Sequence, residues 1–236
     1  MYRLLLPNMF TVGNLFCAFL ALQYVIEGRY VPAAWLVVLG AALDAMDGRI
    51  ARFVGKDTSF GIEFDSLVDL CTFGIVPATM ICLSVLSSPW GLVLAFLFLL
   101  CGALRLARFN VLSHNKEKTD LFMGMPIPGA AIVLTQYVVF TQHAWETRHA
   151  APLAAVLVVF LGYLMVSRLA FDKVPSFRSS SFSDRFKQLF FLGSVALIIY
   201  PSTSKDFFFP LTLVYTASGI YRWVAGLFSD EVTQHA

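Results

Sequence analysis

Apolar runs of membrane-spanning length follow one another along almost the whole chain, and that repetition leaves few folds available. Inside hydrocarbon every backbone N–H and C=O must be satisfied within the protein, so runs of roughly twenty apolar residues become helices. Such runs can be placed near 9–26, 32–53, 61–83, 91–109, 127–143, 151–170, 186–200 and 207–228. The expectation is an all-α, polytopic transmembrane bundle of about eight helices, forming one integral domain over 1–236. Hydrophobic residues make up 58% of the 236 and the mean hydropathy is +0.74, values foreign to an ordinary water-soluble domain.

Residues 1–27 lack a Lys- and Arg-led leader with a small-residue exit, and the next apolar run follows at once, so this stretch reads as the first span. The linkers near 84–90 and 201–206 hold Pro and Ser suited to turns, and Ser179, Ser180, Ser181 and Ser183 mark a longer polar connection. Cys17, Cys71, Cys82 and Cys101 stand far apart inside apolar runs and read as packing residues. A net charge of +2 excludes an extended nucleic-acid surface but permits attraction to anionic headgroups.

Orientation follows from Lys and Arg in alternate loops, because cytoplasmic loops hold the excess. Fourteen basic residues fall on the side of Arg3, Arg49, Arg52, Arg105 and Arg108, against three on the other, Arg29, Arg148 and Lys205. Both termini are therefore expected in the cytoplasm, with the protein in the cytoplasmic (inner) membrane. Trp35, Trp90 and Trp145 then lie near the outer interface and Trp223 near the inner one.

Acid interrupts the oil at DAMDGRIAR, residues 44–52, and again at GIEFDSLVD, residues 61–69. Carboxylates in apolar spans are costly and mark a functional site by default. At 100° per residue, positions 47, 48 and 51 fall about −60°, +40° and −20° from Asp44, so two acids, a glycine and an alanine share a face. On the next helix Gly61, Asp65, Asp69 and Thr72 fall within about 80° of one another, while Glu63 points away. The short FVGKDTSF connection predicts two antiparallel neighbours whose acid pairs meet at similar depth, just inside the cytoplasmic interface.

Four facing carboxylates in a low-dielectric site need a counter-charge. Divalent ions supply it, and oxygen-only donors favour Mg²⁺ or Mn²⁺ with positions left for phosphate oxygens. The competing reading neutralises the acids with Arg49, Arg52 and Arg105 in a structural network. The register of four Asp with two Gly, Ala and Arg favours the metal. Gly48, Ala51 and Gly61 admit a bulky group or close helix packing, and Arg52 at the mouth suits a phosphate.

These residues spell D-x2-D-G-x2-A-R-x8-G-x3-D-x3-D, which resembles the signature of the CDP-alcohol phosphotransferase family at every fixed position. PNMFTVGN, FDSLVDLCTFGIVPA, GALRLARFN and FMGMPIPGAA are further similar to members that use serine as the acceptor. The resemblance implies a six-helix core over 1–170, followed by a cytoplasmic loop and two additional helices over 171–236. It implies phospholipid synthesis by transfer of a phosphatidyl group from CDP-diacylglycerol to the L-serine hydroxyl, releasing CMP. Two divalent ions, Mg²⁺ or Mn²⁺, would be held by Asp44, Asp47, Asp65 and Asp69, with Asp69 also the general base. Gly48, Ala51, Arg52 and Gly61 would line the CDP-lipid site, and a homodimer is expected.

Asn8, Thr11 and Asn14 stand at i, i+3 and i+6; the resemblance gives them nucleotide or headgroup contacts, while capping by Asn8 is the alternative. Arg105 and Arg108 either snorkel or meet a serine carboxylate or lipid phosphate, with Asn110 and Thr72 as further acceptor or phosphate contacts. Pro126 and Pro128 shape a turn. Val68, Thr72 and Val76 depart from the Ala, Ser and Ala more readily expected there, a matter of acceptor detail. His114, His143, His149 and His235 show no ligand spacing.

A sister enzyme using glycerol 3-phosphate, inositol phosphate or choline shares the metal motif. An ion-coupled transporter would show an inverted repeat and helices broken at the midplane, yet the acid motif occurs once, near one interface. A non-catalytic scaffold has no need of the acid register.

Overall fold

The computed structural model describes residues 5–54, 59–114, 122–144, 150–167, 170–171, 208–214 and 216–217. Seven α-helices are defined among them: α1 Leu5–Ile26, α2 Tyr30–Val54, α3 Ser59–Asp69, α4 Val76–Ser84, α5 Pro89–His114, α6 Ile127–Ala144 and α7 Ala150–Val166. A π-helical stretch, Leu70–Ile75, joins α3 to α4 in one continuous rod. Four rods are long and apolar enough to cross a membrane: Met9–Ile26, Tyr30–Arg49, Phe60–Ser84 and Pro89–Leu112. The apolar α6 and α7, at 18 and 17 residues, reach roughly 26 Å at 1.5 Å per residue, just under a hydrocarbon core of about 30 Å.

Local chemistry sets the boundaries. Gly28 ends α1 at φ 73°, with Arg29 N–H donating to the Tyr24 carbonyl at 2.8 Å and Gly28 N–H to Val25 at 3.0 Å. That is a Schellman cap, and it turns α1 straight into α2. Ser88 caps α5 by accepting from Gly91 N–H at 3.1 Å, with Pro89 at the first helical position.

The core is built for close approach. Ala18 and Ala21 of α1 and Ala33 and Ala34 of α2 are buried, so the first two helices pack tightly. Larger side chains such as Phe73, Phe98 and Leu134 fill the centre. Phe16, Phe19, Leu92, Phe96 and Val156 are instead more than half exposed, an apolar surface suited to lipid. Phe208 and Phe209, within helical residues 208–214, dock on Trp35 and Tyr137 at ring-centroid distances of 5.9 and 5.2 Å.

Two expectations meet a different outcome, and the last two spans are described only in small part or not at all. The span expected to reach 170 stops at Val166, because the chain bends at Ser167 and Ala170–Phe171 pairs antiparallel with Phe122–Met123. The third span is not one regular α-helix, since it widens into the π stretch immediately after Asp69. The expected span at 186–200 lies outside the described residues, and 207–228 is described only at 208–214 and 216–217, where it is helical.

Candidate metal centre and substrate site

α2 supplies Asp44 and Asp47, and α3 supplies Asp65 and Asp69 on its final residue. One carboxylate oxygen from each of Asp44, Asp65 and Asp69 lies within 4.8 Å of the other two. Asp69 is buried, and Asp44 and Asp65 are half-buried. Asp65 Oδ1 and Asp69 Oδ1 are shut from solvent with no hydrogen-bond partner among the described residues. Leaving a buried acceptor unmatched costs about 1–3 kcal/mol, and more when it is charged. The bundle tolerates that cost twice within one cluster.

No arginine among the described residues pairs with these acids within 4 Å. Among the described residues the ion pair within 4 Å is Arg29 with Glu27, at the far end of α1. Arg105 on α5 is buried and acts on Asp69 and Asp44 through space, while its Nε has no partner among the described residues. Arg49 is exposed. The cluster therefore fits a hard cation. Ligand oxygens at about 2.1 Å span at most about 4.2 Å across such an ion, so small side-chain adjustments close the trio around it.

Asp47 stands apart from this trio. It is buried, and its Oδ2 accepts a hydrogen bond from Thr11 Oγ1 of α1. α1 packs along both α2 and the third rod, which the expectation of two simple antiparallel neighbours did not include. Asp47 still acts electrostatically on Asp65 and Asp69. Beside it, Gly48 is exposed, and a Cβ there would meet nothing within 4 Å. Gly61 is half-buried at the start of α3. The side chains of Asn8, Ala51 and Arg52 lie outside the described residues. Glu63 is exposed, as its helical phase requires.

The expected acceptor contacts divide. Arg105 sits near enough to act on Asp69 and Asp44. Arg108, one turn on, donates from Nη1 to the Val166 carbonyl at 3.1 Å and from Nη2 to Ser167 at 3.3 Å, tying α5 to the end of α7. Asn110 accepts from Ser66 Oγ at 3.1 Å and donates to Glu63 Oε2 at 3.4 Å, stitching α5 to α3. Thr72 is fully buried and donates to Asn14 Oδ1 at 2.9 Å.

The family model for CDP-alcohol phosphatidyltransferase matches residues 4–169. The chain belongs to that family. Curated relatives named CDP-diacylglycerol--serine O-phosphatidyltransferase include one from Helicobacter pylori, 33% identical over 223 residues, covering 93% of this chain and 91% of the relative. Another from Methanocaldococcus jannaschii is 30% identical over 191 residues, covering 81% and 84%. A third, from Bacillus subtilis, is 33% identical over 168 residues, covering 70% and 89%. As a CDP-alcohol phosphatidyltransferase this chain is an enzyme, a membrane transferase of phospholipid synthesis, and the matched region spans α1 to α7.

Two glycines of this phosphatidyltransferase escaped sequence reasoning, one beside the acid cluster and one in the turn that docks on α7. Gly40 lies one turn before Asp44, where a Cβ would sit 2.6 Å from Asn14 Oδ1 and 2.8 Å from Thr72 Cγ2. Its signal was present, since four residues back from Asp44 is about −40° in phase, on the acid face. Gly124 has φ 85°, and a Cβ there would lie 2.5 Å from the Met165 carbonyl. The GMPIPG segment thus docks on α7, with Met125 N–H donating to Leu164 at 3.0 Å.

Proposed function

We propose that this CDP-alcohol phosphatidyltransferase is metal-dependent and transfers the phosphatidyl group of CDP-diacylglycerol to the hydroxyl of L-serine, releasing CMP. The observation that carries the metal is the buried carboxylate trio with two unpartnered oxygens. Asp44, Asp65 and Asp69 would hold the ions, with Asp47 completing a two-ion set of Mg²⁺ or Mn²⁺. When bound, divalent ions polarise the phosphoryl oxygens and stabilise the charge on departing CMP.

The protein's own groups do the rest. Asp69 takes the proton of the serine hydroxyl as its oxygen bonds to phosphorus and the bond from phosphorus to CMP oxygen breaks. Thr11 holds the Asp47 carboxylate in place by its hydrogen bond. Arg105 offers a buried cation beside Asp69 for the serine carboxylate or the lipid phosphate. Gly48 leaves room for the CDP moiety, and Gly61, Ala51, Arg52 and Asn8 complete that wall.

Serine as acceptor is supported by the names of the relatives. The excess of basic residues supports cytoplasmic termini and an active site opening to the cytoplasm in the inner membrane. Eight spans in a single domain, the last two following a six-helix core, and assembly as a homodimer complete the reading. The test is purified protein with CDP-diacylglycerol and Mn²⁺ or Mg²⁺, offered each alcohol in turn, with CMP and lipid product measured. Phosphatidylserine formed only with serine supports the reading; product only with glycerol 3-phosphate, inositol phosphate or choline replaces the acceptor.

A further inference from the structure

We propose that Asn14, Thr72 and Gly40 form a positioning clamp across three helices that sets where Asp69 stands relative to Asp44. The inference rests on the metal-centre reading above.

Thr72 sits three residues past Asp69, inside the π stretch. A π-helical turn displaces the regular i to i−4 bonds, and such turns gather at functional sites. The Thr72 hydroxyl has Asn14 Oδ1 at 2.9 Å and the Val68 carbonyl at 3.1 Å, so its single proton lies between α1 and the preceding turn. Asn14 is fully buried, and its Nδ2 has no partner among the described residues. Thr72 is therefore what orients the amide.

Gly40 closes the third side. A Cβ at that position would fall 2.6 Å from Asn14 Oδ1 and 2.8 Å from Thr72 Cγ2, so glycine alone lets α2 approach the hydrogen-bonded pair. The clamp lies one turn before Asp44 on α2 and one turn after Asp69 on the third rod. Asn14 is in turn one turn from Thr11, which holds Asp47. One face of α1 thus grips both acid-bearing rods at adjacent levels. None of the three clamp residues needs to touch substrate. Their part is to keep carboxylates from two separate helices at ligand spacing.

The test measures Mn²⁺ binding to the full-length protein by electron paramagnetic resonance of the free ion, alongside kcat and KM. Thr72→Val, which keeps shape and removes the hydroxyl, is expected to weaken Mn²⁺ binding about tenfold, Gly40→Ala to do the same from another helix, and Thr72→Ser to recover it to within about twofold. Should Gly40→Ala not fold, the isosteric Thr72→Val and the rescuing Thr72→Ser decide. Wild-type Mn²⁺ affinity and kcat in Thr72→Val overturns the clamp. A rise in KM for the alcohol alone overturns it too, by making Thr72 a substrate contact. Wild-type protein that binds no Mn²⁺ overturns the metal centre itself, a result distinct from either.

Discussion

Asp65 and Asp69 each keep a buried carboxylate oxygen without a hydrogen-bond partner among the described residues, and Asp44 brings a third carboxylate to the same spot. Such charge is stable only with a cation close by, and Arg105 stays outside ion-pair distance. Asp69→Asn is expected to lower turnover by at least about 10²-fold, the usual scale for losing a general base, while CDP-diacylglycerol still binds; turnover assays paired with lipid binding check this. The two arginines of α5 should separate. Arg105→Gln is expected to cut turnover about 10- to 100-fold, as for groups just outside a metal site. Arg108→Gln loses bonds to the α7 carbonyls and should instead cost about 1 kcal/mol of stability, read as a lower melting temperature with an unchanged KM for the alcohol.

Helices set the distances between these residues, and here the sequence was legible in part. Hydropathy marked six of the rods, because apolar run length reports the solvent. Helical phase put Asp44 and Asp47 on one face and turned Glu63 away, because 100° per residue is a local property. Partner choice was not legible. That Thr11 would bond Asp47, Asn14 would meet Thr72, and Arg108 would cap α7 depends on how rods pack, which phase within one rod does not encode. The π stretch was hidden for the same reason, since Leu70–Ile75 reads as ordinary apolar helix. The glycine of GMPIPG has a purely structural account: Gly124→Ala places a side chain at φ 85° against the Met165 carbonyl. A left-handed residue costs about 1–2 kcal/mol before the clash, so a lower melting temperature in detergent is expected, with turnover per folded molecule largely kept.

At the scale of the molecule, apolar side chains such as Phe19 and Phe96 face outward among the described residues while Asp47 and Asp69 are buried, the arrangement of a protein dissolved in lipid that works on a charged headgroup. The excess of basic residues supports the proposal that the acid end faces the cytoplasm. A cysteine at Gly28 should therefore react with an impermeant maleimide from outside intact cells, whereas one near the C-terminus should react only after lysis; the reverse pattern inverts the topology. The most direct test of the metal centre follows serine-dependent CMP release by purified protein in CDP-diacylglycerol micelles, first with a chelator and then with Mn²⁺ or Mg²⁺ restored. Release that stops with the chelator and returns with the metal is the expected result. Release that continues undiminished with all divalent metal removed contradicts it.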